Sequence, residues 1–283
     1  MEIIQIKDLQ NMKGKWTRNF HIAVECQSKK SRECKKSYCI VYKTYYHHLK
    51  KNNGKIICQK CAQIGRYRNS VDETYFDIID TPNKAYILGL LWADGSVDSR
   101  RLRLSLQEAD KHILDEIKQE LKYTGELRLI SKEKILKWEQ TDYDYKNQYS
   151  LEITCSPILC QRLLDLGFGI KHTRVENLPN IDDLFFWDFL RGFFDGDGCI
   201  SSYKNNNCST TTWQARISSI STVFKEFIKK KLQTYGMACY TSKHHLIIKQ
   251  RKSLSIFLKT LYNHSELRFQ RKYIKSRECL ARQ

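Results

Sequence analysis

Hydrophobic positions set the plan of this chain. Two stretches, Tyr86-Ile-Leu-Gly-Leu-Leu-Trp-Ala-Asp-Gly95 and Phe189-Leu-Arg-Gly-Phe-Phe-Asp-Gly-Asp-Gly198, are apolar almost all the way round a helical repeat. That pattern predicts the last turns of two buried helices. Each stretch holds a glycine, Gly89 or Gly192, where two backbones can approach with no side chain between them. Each closes on an acid and a glycine, Asp94-Gly95 and Asp197-Gly198, an expected helix stop. Thr81-Pro82 supplies a cap and a first-turn proline, so the first helix is expected over 82–93.

After each stretch the period drops to two. In Arg101-Leu-Arg-Leu-Ser-Leu-Gln107 the leucines face one way, and Arg101, Arg103, Ser105 and Gln107 the other. Its counterpart is Trp213-Gln-Ala-Arg-Ile-Ser-Ser219, with Gln214, Arg216 and Ser218 as polar positions. Amphipathic helices follow at a constant offset: Ile113 falls on Phe224, Ile117 on Ile228, Leu121 on Leu232 and Gly125 on Gly236. Later strands at 149–154 and 245–249 lead into helices at 157–166 and 253–262. Each half reads helix, two strands, helix, two strands, helix (αββαββα), an internal duplication. Such halves hide their apolar faces by pairing through the two buried helices. The fold class expected is therefore α+β and pseudo-twofold, with halves at 71–176 and 177–283 and a separate module at 1–70.

Composition adds a partner. Lysine and arginine number 49 against 31 acidic residues, a formal charge of +18. That excess calls for an anionic partner, most simply a nucleic acid. No apolar run approaches the length of a membrane span. The opening Met-Glu-Ile-Ile-Gln-Ile-Lys does not read as a signal peptide. An intracellular, reducing location is expected, in which clustered cysteines among the eleven are metal ligands rather than disulfides.

Residues 1–70 carry sixteen Lys or Arg and four acids, and five of the cysteines. Cys58-Gln-Lys-Cys61 has the spacing of a zinc knuckle. His21-Ile-Ala-Val-Glu-Cys26 predicts a strand delivering Cys26, and a lysine-rich loop returns at Cys34. The expected Zn²⁺ ligands are Cys26, Cys34, Cys58 and Cys61, with Cys39 as substitute for Cys34; His21, His47 and His48 are further candidates. Zinc would supply the folding energy that so polar a segment lacks. The pairs Lys29-Lys30, Lys35-Lys36 and Lys50-Lys51 suit phosphates rather than base edges. The plainer alternative is free cysteines in a disordered basic arm.

Leu88-Gly-Leu-Leu-Trp-Ala-Asp-Gly95 and Leu190-Arg-Gly-Phe-Phe-Asp-Gly-Asp-Gly198 resemble the signature of the LAGLIDADG homing endonucleases, in the two-motif, single-chain form. The resemblance covers about residues 75–283. It implies a monomer with saddle-like DNA-binding sheets and a long, largely asymmetric double-stranded DNA target. It also implies hydrolysis of a phosphodiester in each strand, with Mg²⁺ held by Asp94 and Asp197; a backbone ligand at Ala93 stays open. The physics agrees, because two carboxylates at helix C-termini repel each other and the helix dipole unless a divalent cation lies between them. Such a cation can activate water and stabilise the leaving oxygen. Asp195 stands where the first half has Trp92 and is read as filler. Relatives imply a polar residue on the first sheet, here Gln107 with Ser218 as its weaker counterpart. They also imply a lysine near the site, here Lys249, where the first half offers Glu152 or Thr154. DNA contacts are expected from Arg101, Arg103, Ser105, Gln107, Gln214, Arg216, Ser218, Lys249 and Arg251, with the basic tail 268–282 against backbone phosphates. Two alternatives stand on the same fold: a splicing cofactor binding intron RNA (a maturase), and a non-catalytic DNA-binding protein.

Overall fold

The computed structural model describes residues 3–5, 21–27, 37–41, 47, 49, 55–56, 69–131, 146–154, 156–168, 181–205, 208–263 and 265–282. The chain divides into two compact units, Met1–Asn69 and Ser70–Gln283.

In the first unit, β1 (Ile3–Gln5) runs parallel to β2 (His21–Glu25), which pairs antiparallel with β3 (Ser37–Val41). β2 leads into Cys26, which is fully buried. The next residue joins a distant segment: Gln27 N–H donates to the Ile56 carbonyl at 2.9 Å, and Gln27 Oε1 accepts from Ile56 N–H at 3.1 Å. Cys34, Cys58, Cys61 and His48, and the side chains of Cys39 and His21, lie outside the described residues.

The second unit opens with α1 (Pro82–Asp94), where Thr81 Oγ1 accepts from Lys84 N–H at 3.2 Å and proline takes the first turn. Eight consecutive residues, 85–92, are buried. A fully buried large aliphatic or aromatic side chain contributes about 2 kcal/mol, so this helix belongs to the core. Then come β4 (Ser96–Val97), β5 (Arg101–Gln107), α2 (Lys111–Glu120), β6 (Arg128–Ile130), β7 (Gln148–Thr154) and α3 (Pro157–Asp165). The order repeats with α4 (Phe186–Asp197), β8 (Gly198–Asn205), β9 (Cys208–Ser218), α5 (Thr222–Thr234), β10 (Tyr240–Thr241), β11 (His245–Ile248) and α6 (Arg251–Leu261). A further helix, α7 (Gln270–Ala281), follows.

Two four-stranded antiparallel sheets result, ordered β4-β5-β7-β6 and β8-β9-β11-β10. Leu102, Leu104 and Leu106 point into the core, while Arg101, Arg103, Ser105 and Gln107 lie on the other face of β5. The glycines after α1 and α4 do not use the left-handed cap. Gly95 and Gly198 are extended, at φ −72°, ψ 153° and φ −93°, ψ 156°, because the chain passes directly into β4 and β8. Among the described residues no helix is long and apolar enough to cross a membrane.

Candidate functional site

The site is built where α1 and α4 cross. A methyl group on Gly89 would fall on the carbonyl of Phe189, and one on Gly192 on the carbonyl of Tyr86. The two helices therefore touch backbone to backbone, and their C-termini come together. There Asp94 and Asp197 are both half-buried. A Cβ added at Gly196 would sit 2.9 Å from Asp94 Oδ2, so the Asp94 carboxylate rests against the last turn of α4, one residue from Asp197. Hard carboxylate oxygens at this spot suit Mg²⁺, which keeps several waters and takes only one or two carboxylates from a protein. Among the described residues no three His, Cys, Asp or Glu side chains cluster closely enough to hold an ion. Water, carbonyls or phosphate would complete the shell.

Asp195 is no filler. It is fully buried: its Oδ2 accepts from Tyr86 O–H (2.9 Å) and Phe269 N–H (2.7 Å), and its Oδ1 from Tyr262 O–H (2.9 Å). Burial pushes its carboxyl up to about 6, against the pull of the Phe269 N–H, Lys272 and both tyrosines. Lys272, on α7, donates to the carbonyls of Phe194 (2.7 Å), Asp195 (2.6 Å), Gly196 (3.3 Å) and Gly198 (2.6 Å). It thus caps the C-terminus of α4, whose orphan carbonyls and dipole favour a cation. Burial lowers its pKa to about 8, while the charges of Asp195 and Asp94 act to raise it. The tail expected to lie on phosphates is therefore partly structural: Lys272 is 8 % exposed, and Arg271 pairs with buried Asp110 at 2.9 Å. An acid inside an apolar run was a legible signal that a buried partner must exist. Nothing in the sequence pointed to Lys272 among so many basic residues.

Register corrects one equivalence. Ser96, just after the first motif, pairs with Arg103, and Cys199, just after the second, pairs with Arg216. Arg103 thus matches Arg216, and Ser218 matches Ser105 rather than Gln107. The offset read from the helices fails in the strands because the chain runs a shorter way from Ser218 to α5 than from Ser105 to α2. β5 carries Gln107 back past the end of α1, where it pairs with Gln148. Lys249 goes the other way. It follows β11 beyond the Ile248–Ala215 rung, with its Nζ 5.1 Å from the Tyr203 ring centroid. A hydrogen bond to Tyr203 raises its pKa. Arg251 begins α6 and is exposed, while Gln214 donates to Ser201 Oγ at 3.3 Å.

The two polar faces differ in charge. On the first, Glu152 meets Arg103 at 3.0 Å, Arg101 at 3.6 Å and Arg128 at 3.9 Å. The Arg103 hydrogen bond, with the neighbouring guanidinium charges, holds its carboxyl below the usual range. On the second, Ile247 pairs with Arg216 where Glu152 pairs with Arg103, and Arg216 Nε is buried without a hydrogen-bond partner. Beside the second motif lies a cavity of about 330 Å³. Trp92, Phe193 and Phe224 are among its apolar lining, and Asp197, Ser218, His244 and His245 among its polar lining.

Residues 188–274 match the family model described as a LAGLIDADG-like domain. No curated protein matches the chain. Solved structures are similar to the chain at low likeness. The LAGLIDADG homing endonuclease I-GzeII in complex with its DNA target is 13% identical at a TM-score of 0.47, over 70% of this chain and 88% of that one. The meganuclease I-AabMI bound to uncleaved DNA is 14% identical at 0.46, over 71% and 89%. The N-terminal LAGLIDADG domain of WhiA is 17% identical at 0.41, over 71% and 93%. At this level nothing about function passes from them to this chain, and what carries the resemblance is the second half: from α4 into α7, the chain is similar to a LAGLIDADG-like domain.

Proposed function

We propose that this protein is a site-specific double-strand DNA endonuclease of the LAGLIDADG kind, dependent on a divalent metal. The observation that carries the reading is the meeting of Asp94 and Asp197 at two crossed helix ends, beside sheets with polar faces. Bound Mg²⁺ would lower the pKa of water and offset charge on the scissile phosphates. The chain's own residues do the rest. Asp94 and Asp197 would hold the ion, and Lys272 and the Gly89–Gly192 crossing fix where the acids stand. Arg101, Arg103, Gln214 and Arg216 face the duplex from the sheets. Arginine suits both phosphate and guanine edges. The chain acts as a monomer, since both motifs lie in one polypeptide. With Mg²⁺ it cuts a target recovered from a pool of randomised duplexes. Asp94→Asn with Asp197→Asn binds that target in Ca²⁺ and leaves it intact. Cutting by the double variant sinks the assignment, and tight binding without cutting by the wild type returns it to a maturase or a DNA-binding protein.

For the first unit the reading is one structural zinc per chain at Cys26, Cys34, Cys58 and Cys61. The Gln27–Ile56 hydrogen bonds support it, because they hold buried Cys26 beside the segment that runs on to Cys58. Metal analysis of the full chain decides: about one zinc is expected, falling in Cys58→Ser. An unchanged content in that variant removes the site.

A further inference from the structure

We propose that His245 takes the proton from the water that attacks the phosphate on the Asp197 side, giving the second half a proton acceptor at a rung where the first half has none. This rests on the endonuclease reading above.

Position is the first argument. His245 and Asp197 line the same cavity of about 330 Å³, together with Ser218, Ser219 and His244. Trp92, Phe193 and Phe224 give it apolar walls beside these polar groups. Its volume lies at the small end of ligand sites, enough for a phosphate and its attacking water.

Orientation is the second. His245 pairs with Ser218 across β11 and β9, and its Nδ1 lies 3.3 Å from Ser218 Oγ. In the tautomer where Nδ1–H donates to that hydroxyl, Nε2 keeps its lone pair. A ring held at one nitrogen and open at the other is the usual arrangement for a histidine that handles protons. Burial, then the charges of Arg216, His244 and Lys225, lower its pKa and favour the neutral ring.

The matching rung in the first half is Ser105–Ser150, two hydroxyls 3.0 Å apart. A serine hydroxyl has no basicity to offer at neutral pH. One site therefore has an imidazole where the other has an alcohol.

The step balances without redox change. The water O–H bond breaks, with its proton moving to Nε2. The oxygen bonds to phosphorus as the P–O3′ bond breaks, and the 3′ oxygen takes a proton from solvent. His245 then loses its proton to bulk water.

The test is strand-resolved cleavage of a labelled duplex target, chosen by the wild-type chain from a randomised pool, in Mg²⁺. His245→Ala should slow one strand about 100-fold and leave the other within about twofold. Affinity for the duplex in Ca²⁺ should stay unchanged, and added imidazole should restore part of the lost rate. His245→Asn, whose amide can take the place of Nδ1 toward Ser218 but accepts no proton, should match alanine, and serves if alanine disturbs the fold. Equal slowing of both strands, loss of affinity in step with rate, or no rescue by imidazole overturns the role. If both strands are cut at the wild-type rate, His245 is a bystander while the endonuclease stands. If the wild type cuts neither strand, the endonuclease reading fails and this one with it.

Discussion

The two motif helices end alike in sequence and are secured by opposite means. At the end of α1, Trp92 packs edge-on against Phe168 at 4.8 Å and Phe189 at 6.2 Å between centroids. At the matching place in α4, Asp195 holds two tyrosines and a backbone N–H, and Lys272 collects four carbonyls. Aromatic packing is cheap to bury but fixes no direction. Buried charged groups cost desolvation, yet each of their hydrogen bonds points one way. The second helix end is thus tied to α6 and α7, and any strain in those helices reaches Asp197. The same contrast runs through the sheets, where Glu152 binds three arginines and Ile247 takes its place opposite Arg216.

The sharpest way to break the comparison is Lys272→Met. Lys272 serves four carbonyls, and each buried acceptor left unsatisfied costs about 1–3 kcal/mol, so denaturant unfolding should show a loss of about 3 kcal/mol or more. Asp195→Asn should cost less, about 2 kcal/mol, because the amide keeps one acceptor. The double variant should lose less than the two losses together, since each single change leaves the other's buried charge without its opposite. Additive losses would mean that the two side chains work independently.

The effect of Glu152 is smaller and concerns DNA. Glu152→Gln frees Arg101, Arg103 and Arg128 from their carboxylate. Affinity for random duplex should rise severalfold, with a steeper salt dependence. The equivalent change at Ile247 should do nothing of the kind. Unaltered salt dependence in Glu152→Gln would show that the arginines never reach phosphate.

The smallest effect is a pH limb. The Glu152 pKa is depressed in the folded protein, so its contribution to stability is fully present above the unfolded value. It fades as pH falls through the lower, folded value. Acid unfolding of the wild type should therefore show a step below the ordinary carboxylate range that Glu152→Gln lacks, measured by circular dichroism across an acid titration.

Much of this was legible because period and punctuation carry packing. Gly89, Gly192 and the alternation of Arg101 to Gln107 specify contacts that only one arrangement satisfies. The acid pair was legible for the same reason, as two carboxylates placed at one structural address. What sequence could not give was partnership at long range. Lys272 lies 75 positions from Asp197 among many similar lysines, and only folding selects it. Nor could it give register: a shorter link between β9 and α5 moved the match of Ser218 from Gln107 to Ser105. His245 went unnoticed because a histidine in a short strand has no pattern of its own.

The glycine crossing has a consequence for how such a molecule can vary. Where α1 meets α4 the contact is carbonyl against α-carbon, and no rotamer exists there to adjust. The spacing of the two helix backbones at the crossing is then a dimension of the peptide unit itself, like the bore of a machined part. No side-chain substitution at the crossing can reset that gauge except by pushing the helices apart. Recognition, by contrast, sits on sheet faces whose side chains are free to change. The fold separates a part that cannot drift from a part that can, and it does so at two positions that have no side chain at all.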